Sequence, residues 1–415
     1  MPPPPPRRGP RPLAFHLGLS GIRAAAASLA LPSTESAKPP CWTGSPPWNN
    51  AWPLSKPGEA EALRIAQSLH ASGATPEQLA AAVRARLVAE HAALLAGVNA
   101  YRAAEATPVQ APAPCLWRQG SSALHDYGGV GPAVLFVPSL INRAHVLDLC
   151  PGHSMLRHLA GRGMRPLLLD WGTPGEAEGG FTLTDYILRL EAALAALAAP
   201  VVLAGYCMGG LLALAAALRQ PDRVAALALL ATPWDFAASA AGQATARLLA
   251  ALEPLMALEG VLPVDAIQLL FAVSEPFAVA EKFRGFASLN RASPRGRLFV
   301  AIEDWLNDGV PLAAGVAREC LDGWYGANTP MRGAWDVAGQ PVRPGDWRGP
   351  AFLAIPHRDR IVPPASARAL AAAIPGAHVH EAPAGHVGMV AGTHAEAALW
   401  SPLAEWIAGL RLPPL

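Results

Sequence analysis

Cysteine is scarce in this chain. Five residues (Cys41, Cys115, Cys150, Cys207 and Cys320) are spread over 415 positions, and none forms a Cys-x-x-Cys pair. An odd, dispersed set does not read as a disulfide framework; it fits free thiols in a reducing cytosol. Charge is sparse too: 15% of residues are charged and the net charge is +1. A nucleic-acid surface needs a basic face or cluster, which this balance does not supply. No uncharged apolar run reaches the roughly 20 residues needed to span a bilayer. The longest apolar stretch, residues 192–218, is broken by Pro200 and a Gly-rich turn. What the chain does hold is 52% hydrophobic residues, enough for a sizeable core and too many for global disorder.

Arg7 and Arg8 precede a mildly apolar stretch, as in a secretory leader. His16, Ser20 and Arg23 interrupt it and no clean cleavage site follows, so it is not read as one. Residues 1–12 are Pro/Arg-rich and are expected to be disordered. Residues 13–30 can form a short Ala/Leu surface helix, although composition favours a disordered tail over an amphipathic surface anchor. Residues 37–57 are punctuated by proline and cannot hold a regular helix. Helical pattern then begins. Thr75-Pro76-Glu77-Gln78 is a helix start: a Thr cap, Pro at the first helical position and Gln three residues after the cap. Leu79, Val83, Leu87, Leu94 and Val98 follow at near-helical spacing.

From about residue 125 the pattern changes. Short apolar runs at 133–139, 165–172, 201–207, 224–233 and 351–359 alternate with Ala/Leu-rich helical stretches, and Val379 sits in one final strand. Strands alternating with helices imply parallel strands joined by crossovers, so an α/β doubly wound, mostly parallel sheet. Residues 234–347 interrupt this rhythm and carry Trp234, Trp305, Trp324, Trp335 and Trp347. Such an insertion is expected to cap the strand ends where ligands bind, with its tryptophans mainly in the core. The expected organisation is a disordered segment over 1–57, a helical module over 58–124, and an α/β domain over 125–415 with a cap at about 234–347.

One turn carries chemistry: "VVLAGYCMGGLL", residues 201–212. A strand–nucleophile–helix turn cramps the backbone, so small residues are needed two before and two after the nucleophile. Gly205 and Gly209 stand there around Cys207, giving Gly-x-Cys-x-Gly. Gly210 lets the following helix approach the sheet. The helix N-terminus favours a thiolate and offers the Met208 N–H to an oxyanion. The plain alternative is a buried cysteine in a tight turn. Two further residues argue against it. Asp359 follows the late strand in "HRDRIVPP" and His386 follows the last in "APAGHVGMVAG", in the order nucleophile, acid, histidine. The loop "VPSLINRAHVLDL" after the first core strand is expected to supply a second oxyanion N–H, near Leu140 or Ile141. His145, His153 and His158 lack paired carboxylate or thiol ligands, so no metal site is read. His378 and His380 alternate on one strand face and are read as surface residues.

The segments "VPSLINRAHVLDL", "LLLDWGTPG…FTLTDYI", "GYCMGG", "HRDRIVPP" and "GHVGMVAG" together resemble the polyhydroxyalkanoate synthases, nearest the short two-subunit type, over roughly residues 125–410. Arg360 stands where the synthases usually carry histidine after the aspartate. The resemblance implies an α/β-hydrolase fold and an acyltransferase that polymerises 3-hydroxyacyl groups from coenzyme A thioesters. It implies Cys207 as the acylated nucleophile, His386 as its base and Asp359 as the carboxylate partner. It implies no cofactor beyond the coenzyme A thioester substrate. It also implies a second copy or a partner synthase subunit, and a cytoplasmic location at polyester granules. Two other readings use the same residues: a cysteine-dependent hydrolase or thioesterase, and a non-catalytic granule-associated binding protein.

Overall fold

The computed structural model describes residues 7–30, 56–105, 107–108, 110–238 and 245–410. The Pro/Arg-rich start (1–6), most of the Pro-punctuated stretch and Cys41 lie outside the described residues. The chain forms two compact units: Met1–Ala104 with Glu275–Asn290, and Glu105–Ser274 with Arg291–Leu415. These boundaries differ from those drawn on composition, because Glu275–Asn290 falls within the expected cap yet packs with the N-terminal helices.

The first unit is helical. Helix Leu13–Ala30 occupies part of the stretch expected to be disordered, because the proline-rich composition gives way to Ala and Leu after Pro12. Helix Pro76–Arg102 starts at its sequence signal. Gln78 N–H donates to Thr75 Oγ1 at 3.3 Å, and Thr75 N–H donates to Gln78 Oε1 at 2.8 Å. Its partner within the unit is helix Ala278–Ala287. Gly97 lets their backbones touch: a Cβ there would lie 1.9 Å from the Phe283 carbonyl oxygen. Tyr101 and Phe283 then meet edge to face at 5.8 Å.

The second unit is built on an eight-stranded sheet. Its strands are β1 (Cys115–Gln119), β2 (Ser122–Asp126), β3 (Ala133–Val137), β4 (Arg165–Asp170), β5 (Val201–Tyr206), β6 (Val224–Leu230), β7 (Ala351–Pro356) and β8 (His378–Ala382). Their spatial order is β1-β2-β4-β3-β5-β6-β7-β8, parallel from β4 onward. β1 and β2 are an antiparallel hairpin that joins β4, so the sheet begins at Cys115, ahead of residue 125. β1 is mostly exposed, and its apolar stretch, Cys115-Leu116-Trp117, is too short to stand out as a strand. The central strands are buried on both faces, and successive side chains enter two cores: Val134 and Phe136 one, Leu135 and Val137 the other. His378 and His380 share a face and stack on Phe352 at 5.4 and 5.8 Å.

A buried ion pair ties the sheet edge to the loop after β4. Glu178 Oε1 accepts from Arg189 at 2.7 Å and from Ser121 N–H at 3.0 Å, while Oε2 accepts Gly175 N–H at 3.1 Å. The side chains of Arg189 and Glu178 are 9% and 4% exposed. Burial pushes the Glu178 carboxyl up, but Ser121, Arg189 and Gly175 outweigh it and hold the pKa at about 2. Replacing Glu178 with alanine leaves the Arg189 charge buried and unpaired, which is expected to cost about 3–5 kcal/mol of stability. Because the folded pKa lies below the ordinary 4.5, the carboxylate's contribution is complete above about 4.5 and lost as pH falls through about 2. Urea unfolding of wild type and Glu178→Ala at neutral pH checks this; a loss below about 1 kcal/mol would contradict the buried-pair account.

Candidate active site

Cys207 stands at the C-terminal end of β5, between the strand and helix Met208–Arg219. Its N–H donates to Leu230 O at 2.8 Å, so the sheet ladder holds the turn to its last residue. Its backbone lies at φ 57°, ψ −130°, a conformation that non-glycine residues seldom adopt. The neighbouring glycines permit it. A Cβ on Gly205 would lie 2.4 Å from Gly210 Cα, and one on Gly209 would lie 2.1 Å from the Val137 carbonyl oxygen. On Gly210 it would lie 1.9 Å from Thr232 Oγ1, so this glycine sets the close approach of the helix to the end of β6. Each clash explains one glycine of the sequence pattern.

The histidine and aspartate arrive on the neighbouring strands β7 and β8. These pair in parallel register up to Pro356 and Ala382, and Asp359 and His386 lie three and four residues beyond. Past the strands, the loops stay stitched: His357 N–H donates to Ala382 O and Arg358 N–H to Ala384 O, both at 3.0 Å. His386 Nδ1 donates to Asp359 Oδ2 at 2.6 Å. The other carboxylate oxygen accepts the N–H groups of Ile361 and Val362, each at 2.8 Å. With no exposed side-chain surface and three donors, Asp359 is fixed as an acceptor. Nδ1 is thereby committed, which leaves Nε2 for Cys207, whose sulfur is near enough to raise the pKa of the ring.

Electrostatics couple the three. Burial opposes a charge on His386, but the Cys207 sulfur and the Asp359 carboxylate more than offset it, and the pKa is pushed up to about 10. Tyr206 supports the ring from below the turn. Its centroid lies 5.1 Å from that of His386, and its hydroxyl donates to the His386 carbonyl at 3.3 Å. Burial, then the nearby Cys207 and Asp359, push the Tyr206 pKa well above its ordinary value, so this hydroxyl remains a neutral donor.

Cys207, Met208 and His386 open into a cavity of about 170 Å3. The insertion after β6 forms much of the wall, through Phe236, Phe271, Leu306, Trp324 and Tyr325. All five tryptophans singled out from that insertion are buried, and two of them, Trp305 and Trp324, line the cavity. Of the two expected oxyanion residues after β3, Ile141 lies on the wall and Leu140 is buried in the core behind it. The Ile141 N–H already donates to Ser139 Oγ at 3.0 Å. Met208 is the first residue of its helix, so its N–H has no intrahelical acceptor and lies beside the sulfur. Among the described residues, no three His, Cys, Asp or Glu side chains gather where they could hold a metal ion. Sequence reading missed Tyr206 and Tyr325, and named Trp324 only among cap tryptophans expected mainly in the core. Tyr206 sits inside the quoted motif, whereas the other two belong to a π-helix, Glu319–Gly326, whose winding hides its apolar face from helical periodicity.

The arrangement can carry out nucleophilic acyl transfer: a thiol, a base within hydrogen-bonding reach, an orienting carboxylate and a free amide at a helix start. Comparison with known proteins agrees with the fold. The family model for the α/β hydrolase fold matches residues 132–393, more than half of the chain. A poly(3-hydroxyalkanoate) polymerase subunit PhaC of Haloferax mediterranei is 25% identical over 66% of this chain and 58% of its own length. The subunit of the same name from Allochromatium vinosum is 26% identical over 66% of this chain and 80% of its own. Among solved structures, a bromoperoxidase from Bacillus anthracis is 16% identical, with a TM-score of 0.47 over 69% of this chain and 95% of that one. The chain belongs to the α/β-hydrolase-fold family and, within it, is a relative of the poly(3-hydroxyalkanoate) polymerase subunits.

Proposed function

We propose that this protein is an acyltransferase that moves 3-hydroxyacyl groups from coenzyme A thioesters onto a growing polyester through a Cys207 acyl-enzyme. The observation that carries the reading is the Cys207–His386–Asp359 constellation at an apolar cavity, with a buried, hydrogen-bonded His386–Asp359 pair beside a partly exposed Cys207. The Cys207 sulfur, its proton already held by the His386 ring, attacks the thioester carbonyl. The carbon–sulfur bond to coenzyme A breaks, and His386 returns the proton to the departing thiol. One thioester has replaced another, so transfer potential is conserved. The hydroxyl of the next acyl group then attacks the acyl-enzyme, His386 accepts its proton, and an ester forms as the Cys207 sulfur leaves. Met208 N–H is placed to meet the oxyanion in both halves. Walls such as Phe236, Phe271 and Leu306 favour an attacking hydroxyl held by its chain over free water.

A partner synthase chain, polyester granules as the place of action and a cytoplasmic location belong to the same proposal; the polymerase names of the relatives support them. No helix among the described residues is long and apolar enough to cross a membrane. The test is purified protein with 3-hydroxybutyryl-coenzyme A, following thiol release, the mass of the Cys207 peptide and the product. Release with an acyl adduct and polymer is the expected result. Release with free acid as the sole product would make the protein a thioesterase of the same fold.

A further inference from the structure

Tyr325 stands on the wall of the cavity that holds Cys207, within the π-helix Glu319–Gly326. Such winding is rare, recurs at functional sites and turns side chains out of helical register. The Tyr325 ring is held by Phe236, edge to face, with centroids 4.9 Å apart. Its hydroxyl makes no hydrogen bond among the described residues. Nor is it one of the sealed polar atoms left without a partner, as the Trp324 Nε1–H is. The hydroxyl therefore reaches open space, and the space this side chain lines is the cavity. Burial first, and then the Cys207 sulfur, push its pKa up, so the hydroxyl lies within electrostatic range of the nucleophile. It makes no hydrogen bond to that sulfur, so a gap separates the two. The group that comes to the sulfur in acyl transfer is a thioester carbonyl.

That carbonyl is short of donors. The turn supplies Met208 N–H, but of the two residues expected to add a second, Leu140 is buried in the core and Ile141 N–H donates to Ser139 Oγ at 3.0 Å. Sites that stabilise an oxyanion present at least two donors as a rule. Other polar groups of the wall are engaged: Gln268 Nε2 donates to Leu306 O at 3.3 Å, and Arg143 pairs with Asp308 at 2.8 Å.

We infer that Tyr325 is a further catalytic residue, whose hydroxyl donates to the carbonyl oxygen of the bound thioester and to the oxyanion it becomes. The inference rests on the acyl-transfer reading of Cys207. As the sulfur adds to the carbonyl carbon, the π pair moves onto the oxygen, and Tyr325 shares its proton with that oxygen but keeps it. When the tetrahedral adduct collapses, the pair returns, the carbon–sulfur bond to coenzyme A breaks, and the departing thiol takes its proton from His386. A phenol that stays neutral remains a donor throughout, and its bond strengthens as charge develops in an apolar wall.

The test compares two reactions of the same sulfur in wild type and Tyr325→Phe, which keeps the ring and its contact with Phe236. The first is acylation by 3-hydroxybutyryl-coenzyme A, read as coenzyme A release and adduct mass. The second is alkylation of Cys207 by iodoacetamide, in which the sulfur displaces iodide from carbon and no oxyanion forms. Acylation is expected to slow about 100-fold, the cost of one oxyanion donor, with alkylation of Cys207 unchanged. Acylation within about threefold of wild type would overturn the inference. So would a parallel loss of both reactions, which would mean that the hydroxyl supports the structure around Cys207. A Tyr325→Phe protein that does not fold would overturn it as well, because a hydroxyl kept for the substrate is not needed for folding. Each of these leaves acyl transfer standing. Absence of adduct and of coenzyme A release in the wild type would overturn the acyl-transfer reading, and this inference with it.

Discussion

In a Cys207→Ala variant, coenzyme A release from 3-hydroxybutyryl-coenzyme A is expected to fall by about ten-thousand-fold or more, as when the nucleophile of an acyl-transfer triad is removed. The adduct at this position disappears with it. Residual catalysis would come from the Met208 amide and from substrate binding alone. The fold should survive, because alanine keeps the Cβ and removes only the sulfur of a partly exposed residue. Cys207→Gly separates function from strain. At φ 57° and ψ −130° a non-glycine residue is strained, so the glycine variant should be more stable than the alanine variant by about 1 kcal/mol while being equally inactive. Thermal unfolding of the pair beside thiol-release assays checks both halves. Activity in Cys207→Ala within tenfold of wild type would remove Cys207 from the chemistry. Equal stability of the two variants would remove strain from the account of the turn.

The site was legible in the sequence to the extent that sterics wrote it there. Gly205 and Gly209 are required by contacts of 2.4 and 2.1 Å that any Cβ would make, so the turn announces itself. Asp359 and His386 were findable because they stand just past apolar strands, and β7 and β8 lie side by side in register. The central strands were legible because burial on both faces leaves continuous apolar runs. What was hidden is what packing decides at long range. The β1–β2 hairpin is exposed on β1, whose apolar stretch from Cys115 to Trp117 is too short to stand out. Glu275–Asn290 reads as part of the insertion but packs against helix Pro76–Arg102, through a glycine contact no local pattern reveals. The loop after β3, expected to offer an oxyanion N–H, reaches the cavity through Ile141, whose amide donates to Ser139, a detail of one hydroxyl rotamer. The wall built by Trp324 and Tyr325 depends on π-helical winding, which shifts side chains away from the 3.6-residue period used to read helices.

Asp359→Asn is expected to be nearly as damaging as loss of the nucleophile, and for a different reason. Asp359 does not line the cavity; it fixes the ring of His386 through the 2.6 Å bond to Nδ1 and supplies part of the charge that keeps the ring protonated. An amide in its place fits the same space and can still accept Ile361 and Val362 N–H, so the fold should hold. It can also turn its NH2 toward Nδ1, which would favour the wrong tautomer, with the proton on Nε2, so that the nitrogen facing Cys207 can no longer accept one. By the size of this effect in other triads, turnover should drop about 10^3- to 10^4-fold. The titration should move too. In the wild type the ring charges with a pKa near 10, raised from an ordinary 6.5 against the opposing effect of burial. Its contribution to stability is therefore complete below about 6.5 and is lost as pH rises through about 10. Removing the Asp359 charge should lower that pKa, so the His386 ring resonances, followed by NMR, should titrate at lower pH in Asp359→Asn. Thiol release measured across the same pH range should lose its alkaline arm earlier. An unshifted titration would mean that Asp359 only orients the ring. An unshifted titration together with full turnover would mean that His386 draws its orientation from elsewhere, with the Tyr206 hydroxyl on its carbonyl as the remaining anchor.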